Sequence, residues 1–417
     1  MSLERTSISS HNIFRPMKHE WKLSSFDLFT LSMTIKGAWV YSAAPDADLM
    51  RSCLRRLLAS YPQLGGLYCE EKKAVVWDDA VAVEPLFSVQ ENTRFSVTQL
   101  IAAPGKIWKL VRPYDINGFK KGKVLPFSAT LLKLRDGAVL YVQCAHATMD
   151  GNSFYGLINR WASLCRGESV SPMLVDQSLL PAPDALSREQ TVNAVQEKSW
   201  VRMDGKKMLG MLLNLVRTNA IKYTVAKEVA QEEISALKKA SGAGTNAVLS
   251  AIAAKNLFAS LTERTCFKAI FVADLRGYFP GIGPDFFGNF SQALPLGIDF
   301  DLSASVEELA SAMDSKLKAV LNSGKPEENV RLSFCATNYN LPYFFFDASD
   351  MNCPKPGTIY INNQLKFRAC ELDWGKGLPL YAYPNELTDM VKLWQPVAGG
   401  PVQIIYGGLA AKLMRKS

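Results

Sequence analysis

Hydrophobic and polar positions follow two periods along this chain, and segments of one period alternate with segments of the other. Over 46–61 (DADLMRSCLRRLLASY) apolar residues recur at helical spacing, which predicts a helix stopped by Pro62 and Gly65-Gly66. Short runs at Ala74–Trp77 and 127–134 read as strands. The run 139–144 (VLYVQC) is apolar almost throughout, with β-branched and aromatic residues, as suits a buried strand. It leads directly into His146-Ala-Thr-Met-Asp150-Gly151, after which 153–165 (SFYGLINRWASLC) returns to the helical period. The local plan is strand, tight turn, helix.

The stretch 170–188 is rich in Pro, Ser and Asp and reads as a surface loop. Residues 206–223 are amphipathic with basic flanks, which suits a helix joining two halves of the molecule or one lying on a membrane surface. The second half repeats the mixed pattern. Helices are predicted over 230–240, over 245–257 with Thr245 as N-cap, and over Val306–Leu321. A strand at 269–273 leads into Asp274-Leu-Arg276, and Pro/Gly-rich loop residues continue to Phe287-Gly288-Asn289. Strands at 358–362 and 365–370 precede Asp373-Trp-Gly-Lys-Gly377, and 402–406 is a last strand. With strands and helices mixed in both halves and no short repeat, the pattern predicts mixed sheets flanked by helices.

Length and composition narrow the functional classes. The chain has 417 residues, more than one ordinary core holds, which favours two or three domains or a pair of large lobes. Hydrophobic residues at 48% and charged residues at 21% exclude a disordered chain. No signal-peptide pattern opens the sequence, and the apolar stretch 208–216 is far shorter than the ~20 residues a membrane span needs. A soluble, cytoplasmic protein without a membrane span is expected. The net charge of +8 is spread without a Lys/Arg block, so nucleic acid is not an expected partner, whereas an anionic small molecule suits it. Eight scattered cysteines, no CxxC pair and only three histidines argue for reduced thiols and against a metal site.

Among those histidines, His11 and His19 lie in a polar N-terminal segment, whereas His146 ends a predicted buried strand. Taken alone, His146 is more often a structural residue than a base. Its setting favours a base: Gly151 permits a sharp turn, and Asp150 stands where it can brace that turn or fix the imidazole. An imidazole with an ordinary pKa near 6.5 accepts a proton near neutral pH. Cys144, two residues away, fits a core cysteine better than a nucleophile. There is no G-x-S-x-G elbow, and Gly281-Ile-Gly283-Pro284 lacks the third glycine of a dinucleotide loop.

The motif His146-xxx-Asp150-Gly151 before a helix resembles the HxxxDG motif of the chloramphenicol-acetyltransferase-like superfamily. Within it, Asp373-Trp-Gly-Lys-Gly377 is similar to the DFGWG motif of the BAHD acyltransferases, with Lys376 where that family usually has Trp. Tyr61-Pro-Gln-Leu-Gly-Gly66 resembles the family's YPxLAGR segment, and 233–239 with 245–250 its helix followed by an STxDAL-like stretch. Asp274-Leu-Arg276 and Phe287-Gly288-Asn289 resemble its DxR and FGN elements. Ala145 stands where condensation domains and wax-ester enzymes usually carry a second histidine, which favours the BAHD branch.

The resemblance implies an α/β (α+β, two-layer) fold of two lobes, each a mixed sheet flanked by helices, with an active-site channel between them. Residues 1–200, with a segment near 378–395, would form one lobe, 201–224 a crossover, and 225–417 the other lobe. It further implies a monomeric enzyme of secondary metabolism that moves an acyl group from a CoA thioester to a small-molecule alcohol or amine. His146 would be the general base, acyl-CoA a co-substrate, and no cofactor or metal permanently bound. Asp150, Gly151, Arg276, Asp373, Gly375 and Gly377 would be supporting residues. An Asp150–Arg276 ion pair across the lobe junction is expected, with Asp373 as the next partner for Arg276. The family's T-S-W-like segment, which binds the tetrahedral intermediate, would correspond to the strand-like run 361–367. In that run Asn362 and Gln364 are two apart, would face the same way, and are the candidate oxyanion donors; side chains that only bond within a polar sheet face are the competing reading. The alternatives are acyl transfer from a carrier-protein thioester and a catalytically silent binding protein on the same scaffold.

Overall fold

The computed structural model describes residues 18–414 apart from 25–26, 29, 80–81, 181–183, 199, 203, 208, 211–212, 214–223, 260–265, 296–299, 342, 345–356 and 385–389. The fold is two-layered and two-lobed, each lobe built on a mixed sheet. The first sheet has five strands in the order Tyr381–Tyr383, Thr34–Tyr41, Ala138–Ala145, Phe127–Lys133 and Phe87–Glu91. Every residue of its central strand Ala138–Ala145 is buried, which accounts for the near-continuous apolar run in the sequence. Alternate side chains serve two cores. Trp39, Leu140, Val142 and Cys144 pack with residues of the helices Ala47–Leu58 and Gly151–Cys165. Ala38, Val40, Val139 and Tyr141 pack with Val97, Leu100 and Ile107.

The second sheet orders Ser291–Pro295, Cys266–Asp274, Thr358–Asn363, Val391–Trp394, Val402–Gly407 and Thr224–Val229, with Phe300–Asp301 pairing the start of Cys266–Asp274. Its three middle strands run parallel. Ile359, Ile361, Val391 and Leu393 turn to one core shared with the helices Gln231–Ser241, Thr245–Phe258 and Val306–Leu321, leaving Tyr360 and Asn362 on the opposite face.

Four expectations need correction. The stretch 365–370 is not a strand but two 3₁₀ turns, Leu365–Phe367 and Ala369–Glu371. Asn363 Oδ1 accepts the Leu365 N–H, and Arg368 turns the chain at φ +48°. Of the apolar residues that suggested a strand, Ala369 and Cys370 are buried in the first lobe's core, half-buried Phe367 packs against it, and half-buried Leu365 packs against the second lobe's core. Thr245 is the first helical residue, and the N-cap is Gly244. Gly151 does not make the turn sharp through a positive φ. A Cβ there would lie 2.9 Å from the Phe367 ring, so glycine is required for close packing. Finally, Asp373–Gly377 packs in the first lobe, although it follows the second lobe's strands in sequence; Tyr381–Tyr383, in the segment near 378–395, pairs with Thr34–Tyr41 of the first sheet. Trp374 is buried against Trp161 and donates to Tyr41 Oη at 2.9 Å, and Tyr41 donates to the Leu372 carbonyl at 2.9 Å. The amphipathic segment 206–223 lies mostly outside the described residues, as does His11. Among the described residues no helix is long and apolar enough to cross a membrane.

Trp374 joins the chain's second half to the first lobe. Trp374→Ala is therefore expected to cost ~3–5 kcal/mol in urea unfolding, as for an aromatic cut out of a packed core. A loss below ~1 kcal/mol would show that this loop does not hold the two halves together.

Candidate active site

The central strand of the first sheet delivers His146. Ala145 ends that strand with its N–H on the Pro126 carbonyl, and the His146 N–H donates to Met33 O at 2.9 Å. One 3₁₀ turn follows, His146–Thr148, locked by Thr148 Oγ1 donating to Ala145 O at 2.9 Å. The side chain of His146 sits in a protein-lined setting with part of its surface open.

Asn289 binds the ring. His146 Nδ1 lies 3.2 Å from Asn289 Oδ1. The same Asn289 donates both hydrogens of Nδ2, one to Asp27 Oδ1 at 2.7 Å and one to the His146 carbonyl at 2.7 Å. Since those two partners accept, the amide nitrogen is fixed on their side and the amide oxygen faces the imidazole. Nδ1 then carries the proton and Nε2 the lone pair. Burial lowers the imidazole pKa below its ordinary value, partly offset by its own backbone carbonyl, the Asp150 charge and the Asn289 contact. The ring is thus neutral, and able to accept a proton, to lower pH than a solvated histidine.

Asp150 caps the helix that follows, accepting the Ser153 N–H at 3.0 Å. Its carboxylate meets Arg276 as a fork, at 2.7 Å and 3.1 Å, with both side chains about 1–2% exposed. Phe290 N–H and Ser291 Oγ also donate to Asp150 Oδ2, each at 2.9 Å. Burial alone would raise this carboxyl; the Arg276 charge and these hydrogen bonds more than offset it and hold the pKa at about 2. Arg276 is equally saturated, donating to Phe286 O, Gly288 O, Ser153 Oγ and Asp274 Oδ1. Its second carboxylate is therefore Asp274, not Asp373: Asp274 lies two residues away in the same turn. Asp373 instead accepts the N–H groups of Gly375 and Gly377, whose φ values of +86° and +102° suit glycine, and its carbonyl accepts from Arg166.

The two oxyanion candidates are not related as the strand period predicted. Asn362 is within the strand Thr358–Asn363, and its Nδ2 is 3.7 Å from Met390 Sδ. Gln364 lies beyond the strand's end, its N–H on Leu393 O, so the two-residue alternation does not extend to it. Cys144 is buried, and burial pushes its thiol far above the usual range, as befits a core residue. Among the described residues no three His, Cys, Asp or Glu side chains converge as a metal site.

Sequence reasoning named Asn289 only as part of a resembling element and missed Asp27. The one local signal for Asp27 was Ser24-x-x-Asp27, a reciprocal turn in which Ser24 N–H donates to Asp27 Oδ2 and Asp27 N–H to Ser24 Oγ. Nothing in the sequence relates that turn to residue 289.

No protein-family model and no curated protein sequence matches the chain. Solved structures do. The F. graminearum TRI101 structure with coenzyme A and T-2 mycotoxin superposes at a TM-score of 0.72 with 13% identity, covering 96% of this chain and 97% of that one. Vinorine synthase follows at 0.61 and 16% identity, covering 94% and 91%. The first condensation domain of the calcium-dependent antibiotic synthetase, with a substrate analogue, gives 0.60 and 13%, covering 96% and 94%. The chain has the fold of these proteins over nearly its whole length.

Asp150→Ala would strand a buried guanidinium, and a loss of ~3–5 kcal/mol in chemical unfolding is expected. Because the folded pKa of Asp150 is depressed, its contribution is present above pH ~4 and is lost as pH falls toward ~2. A difference in stability between wild type and variant that does not narrow as pH falls from ~4 toward ~2 would contradict this assignment.

Proposed function

We propose that this protein is an acyl-CoA-dependent acyltransferase of BAHD type, acting on a hydroxyl or amine of a small-molecule acceptor with His146 as general base. The observation that carries the reading is the oriented imidazole: Nδ1 engaged by Asn289, leaving Nε2 as the basic nitrogen. The fold adds support, since a protein of this fold binds coenzyme A and a small molecule together. Nε2 takes the acceptor's proton as its oxygen or nitrogen attacks the thioester carbonyl. The tetrahedral intermediate collapses, breaking the carbon–sulfur bond, and the imidazolium returns its proton to the departing thiolate. The reaction runs in a channel between the lobes, in a monomer, with acyl-CoA as co-substrate and no metal in the chemistry.

Asp150 and Arg276 support the base by holding its turn and Gly151 by close packing on Phe367, while Asp373, Gly375 and Gly377 act at a distance by tying the chain's second half to the first sheet. The developing oxyanion needs a donor, which is commonly the largest electrostatic contribution to such a step. Asn362 is proposed for this role because, among the described residues, its amide N–H meets a thioether, a weak acceptor, and Gln364 is the second candidate.

A panel of acyl-CoAs against alcohol and amine pools, followed by release of free CoA, tests the class. Turnover with carrier-bound thioesters alone would place the protein with condensation domains, and no turnover with either would leave a binding protein.

His146→Ala is expected to lower kcat by about 10²–10⁴ with little change in melting temperature. The acidic limb of the kcat–pH profile should lie below pH ~6.5, since burial depresses the imidazole pKa. An alanine variant of near-normal turnover would remove the base assignment. Asn362→Leu and Gln364→Leu are each to be tested for a drop of roughly 10²–10³ in kcat at unchanged KM for acyl-CoA, the mark of a donor used only in the transition state. Full activity in both would assign the oxyanion to backbone amides.

A further inference from the structure

The general-base reading leaves unexplained why a carboxyl group should be buried one residue further out. Asp27 is 2% exposed and sits among Trp21, Phe286 and Phe287. Burying a carboxyl is costly unless its oxygens are hydrogen-bonded, and those of Asp27 are. Its two oxygens have separate partners. Oδ2 accepts the Ser24 N–H at 2.7 Å and closes a local turn, whereas Oδ1 reaches across the fold to Asn289 Nδ2, 262 positions along the chain.

We propose that Asp27 is a positioning residue for His146, acting through Asn289, so that carboxylate, amide and imidazole form one oriented row. The alternative is that Asp27 only caps its own turn. The two roles separate on the oxygen that is not needed for the turn. A free asparagine can rotate its amide by 180° and present either N–H or C=O to an imidazole. With the amide N–H turned to Nδ1, the ring would be held as its Nε2–H tautomer and could not take a proton at Nε2. Asp27 and the His146 carbonyl together exclude it, because each is an acceptor facing Nδ2. When ionised, the Asp27 carboxylate also supplies negative charge behind the amide. The imidazolium formed on proton abstraction is stabilised through the polarised Asn289 oxygen, without a carboxylate in direct contact with the ring. Burial pushes the Asp27 carboxyl up to about 7, with the amide and the Ser24 groups opposing the shift, so it is ionised only in part at neutral pH and the Asn289 orientation rests on the His146 carbonyl as well.

The consequence for rate rests on His146 being the base; the consequence for the tautomer does not, and the two are measured separately. With only three histidines in the chain, ¹⁵N spectra of the imidazoles are assigned by replacing His11 and His19 with Gln. In the otherwise wild-type protein the His146 ring is expected as the Nδ1–H tautomer. Asp27→Asn keeps the size of the side chain but must set an NH₂ against either Ser24 N–H or Asn289 Nδ2. The expected result is a mixed or inverted tautomer population, with kcat lower by roughly 10–100-fold, the size of effect seen for outer partners of metal-bound imidazoles, and KM for acyl-CoA unchanged. Ser24→Ala weakens the turn without touching the Oδ1 contact, so it should lower the melting temperature while leaving tautomer and kcat as they were. A wild-type His146 found as Nε2–H would overturn the proposal without any variant. So would an Asp27→Asn protein that keeps the Nδ1–H tautomer and full kcat, or a Ser24→Ala protein that shifts the tautomer as much as Asp27→Asn does. If His146→Ala stays active while the tautomer responds to Asp27→Asn, the relay stands and the base assignment fails.

Discussion

The arrangement around His146 depends on one buried ion pair. Asp150 and Arg276 are almost wholly removed from water, and each is costly to bury unless every polar atom it carries is met. Meeting them draws in the helix start at Ser153, the Gly288 carbonyl, and the backbone and side chain of Phe290 and Ser291. Those partners come from two lobes. The pair therefore sets where the 286–291 loop lies against the turn that carries His146. Asn289 sits within that loop, between Gly288 and Phe290, so the residue that orients the imidazole is placed by a carboxylate that never touches the ring. Gly288 itself is at φ +137°, a conformation glycine tolerates, which lets its carbonyl serve Arg276 and Ser153 together.

The two buried carboxylates of this junction meet different partners, Asp150 the Arg276 guanidinium and Asp27 the Asn289 amide. Asp150 is held at about 2 and stays ionised at working pH, as a structural charge must. Asp27, lacking a cationic partner among its named contacts, is pushed the other way by burial. Two acids a short distance apart in the same junction thus have opposite pKa shifts, because only one of them has a guanidinium.

Much of this was legible in the sequence wherever the signal is local. The strand Ala138–Ala145 showed as the nearly continuous apolar run 139–144 because both faces of a central strand are covered, and the helix Val306–Leu321 showed as a full amphipathic period. The His146 turn was legible because strand, histidine, aspartate and glycine stand in one short stretch. What was not legible is what depends on contacts between distant segments. Residues 369–370 looked like strand because they are apolar, yet they are apolar in order to fill the first lobe's core from a 3₁₀ turn. Gly151 looked like a turn residue, and only the Phe367 ring shows that it is a packing residue. Asp27 carries no signal beyond its own turn, since its second oxygen is used 262 positions away.

The strand Tyr381–Tyr383 pairs with Thr34–Tyr41 at the edge of the first sheet, and Trp374 fills a place in the core beneath it. On the ribosome, this sheet emerges early and must wait for its last strand until most of the second lobe has been made. During that interval the backbone of Thr34–Tyr41 has an unpaired edge, and the aromatic slot lined by Tyr41 and Trp161 has no occupant. The first lobe is thus unable to close as an independent unit during synthesis. A nascent chain of this protein carries a sticky, half-built sheet for most of its translation, and chaperone demand should follow the time taken to reach residue 383.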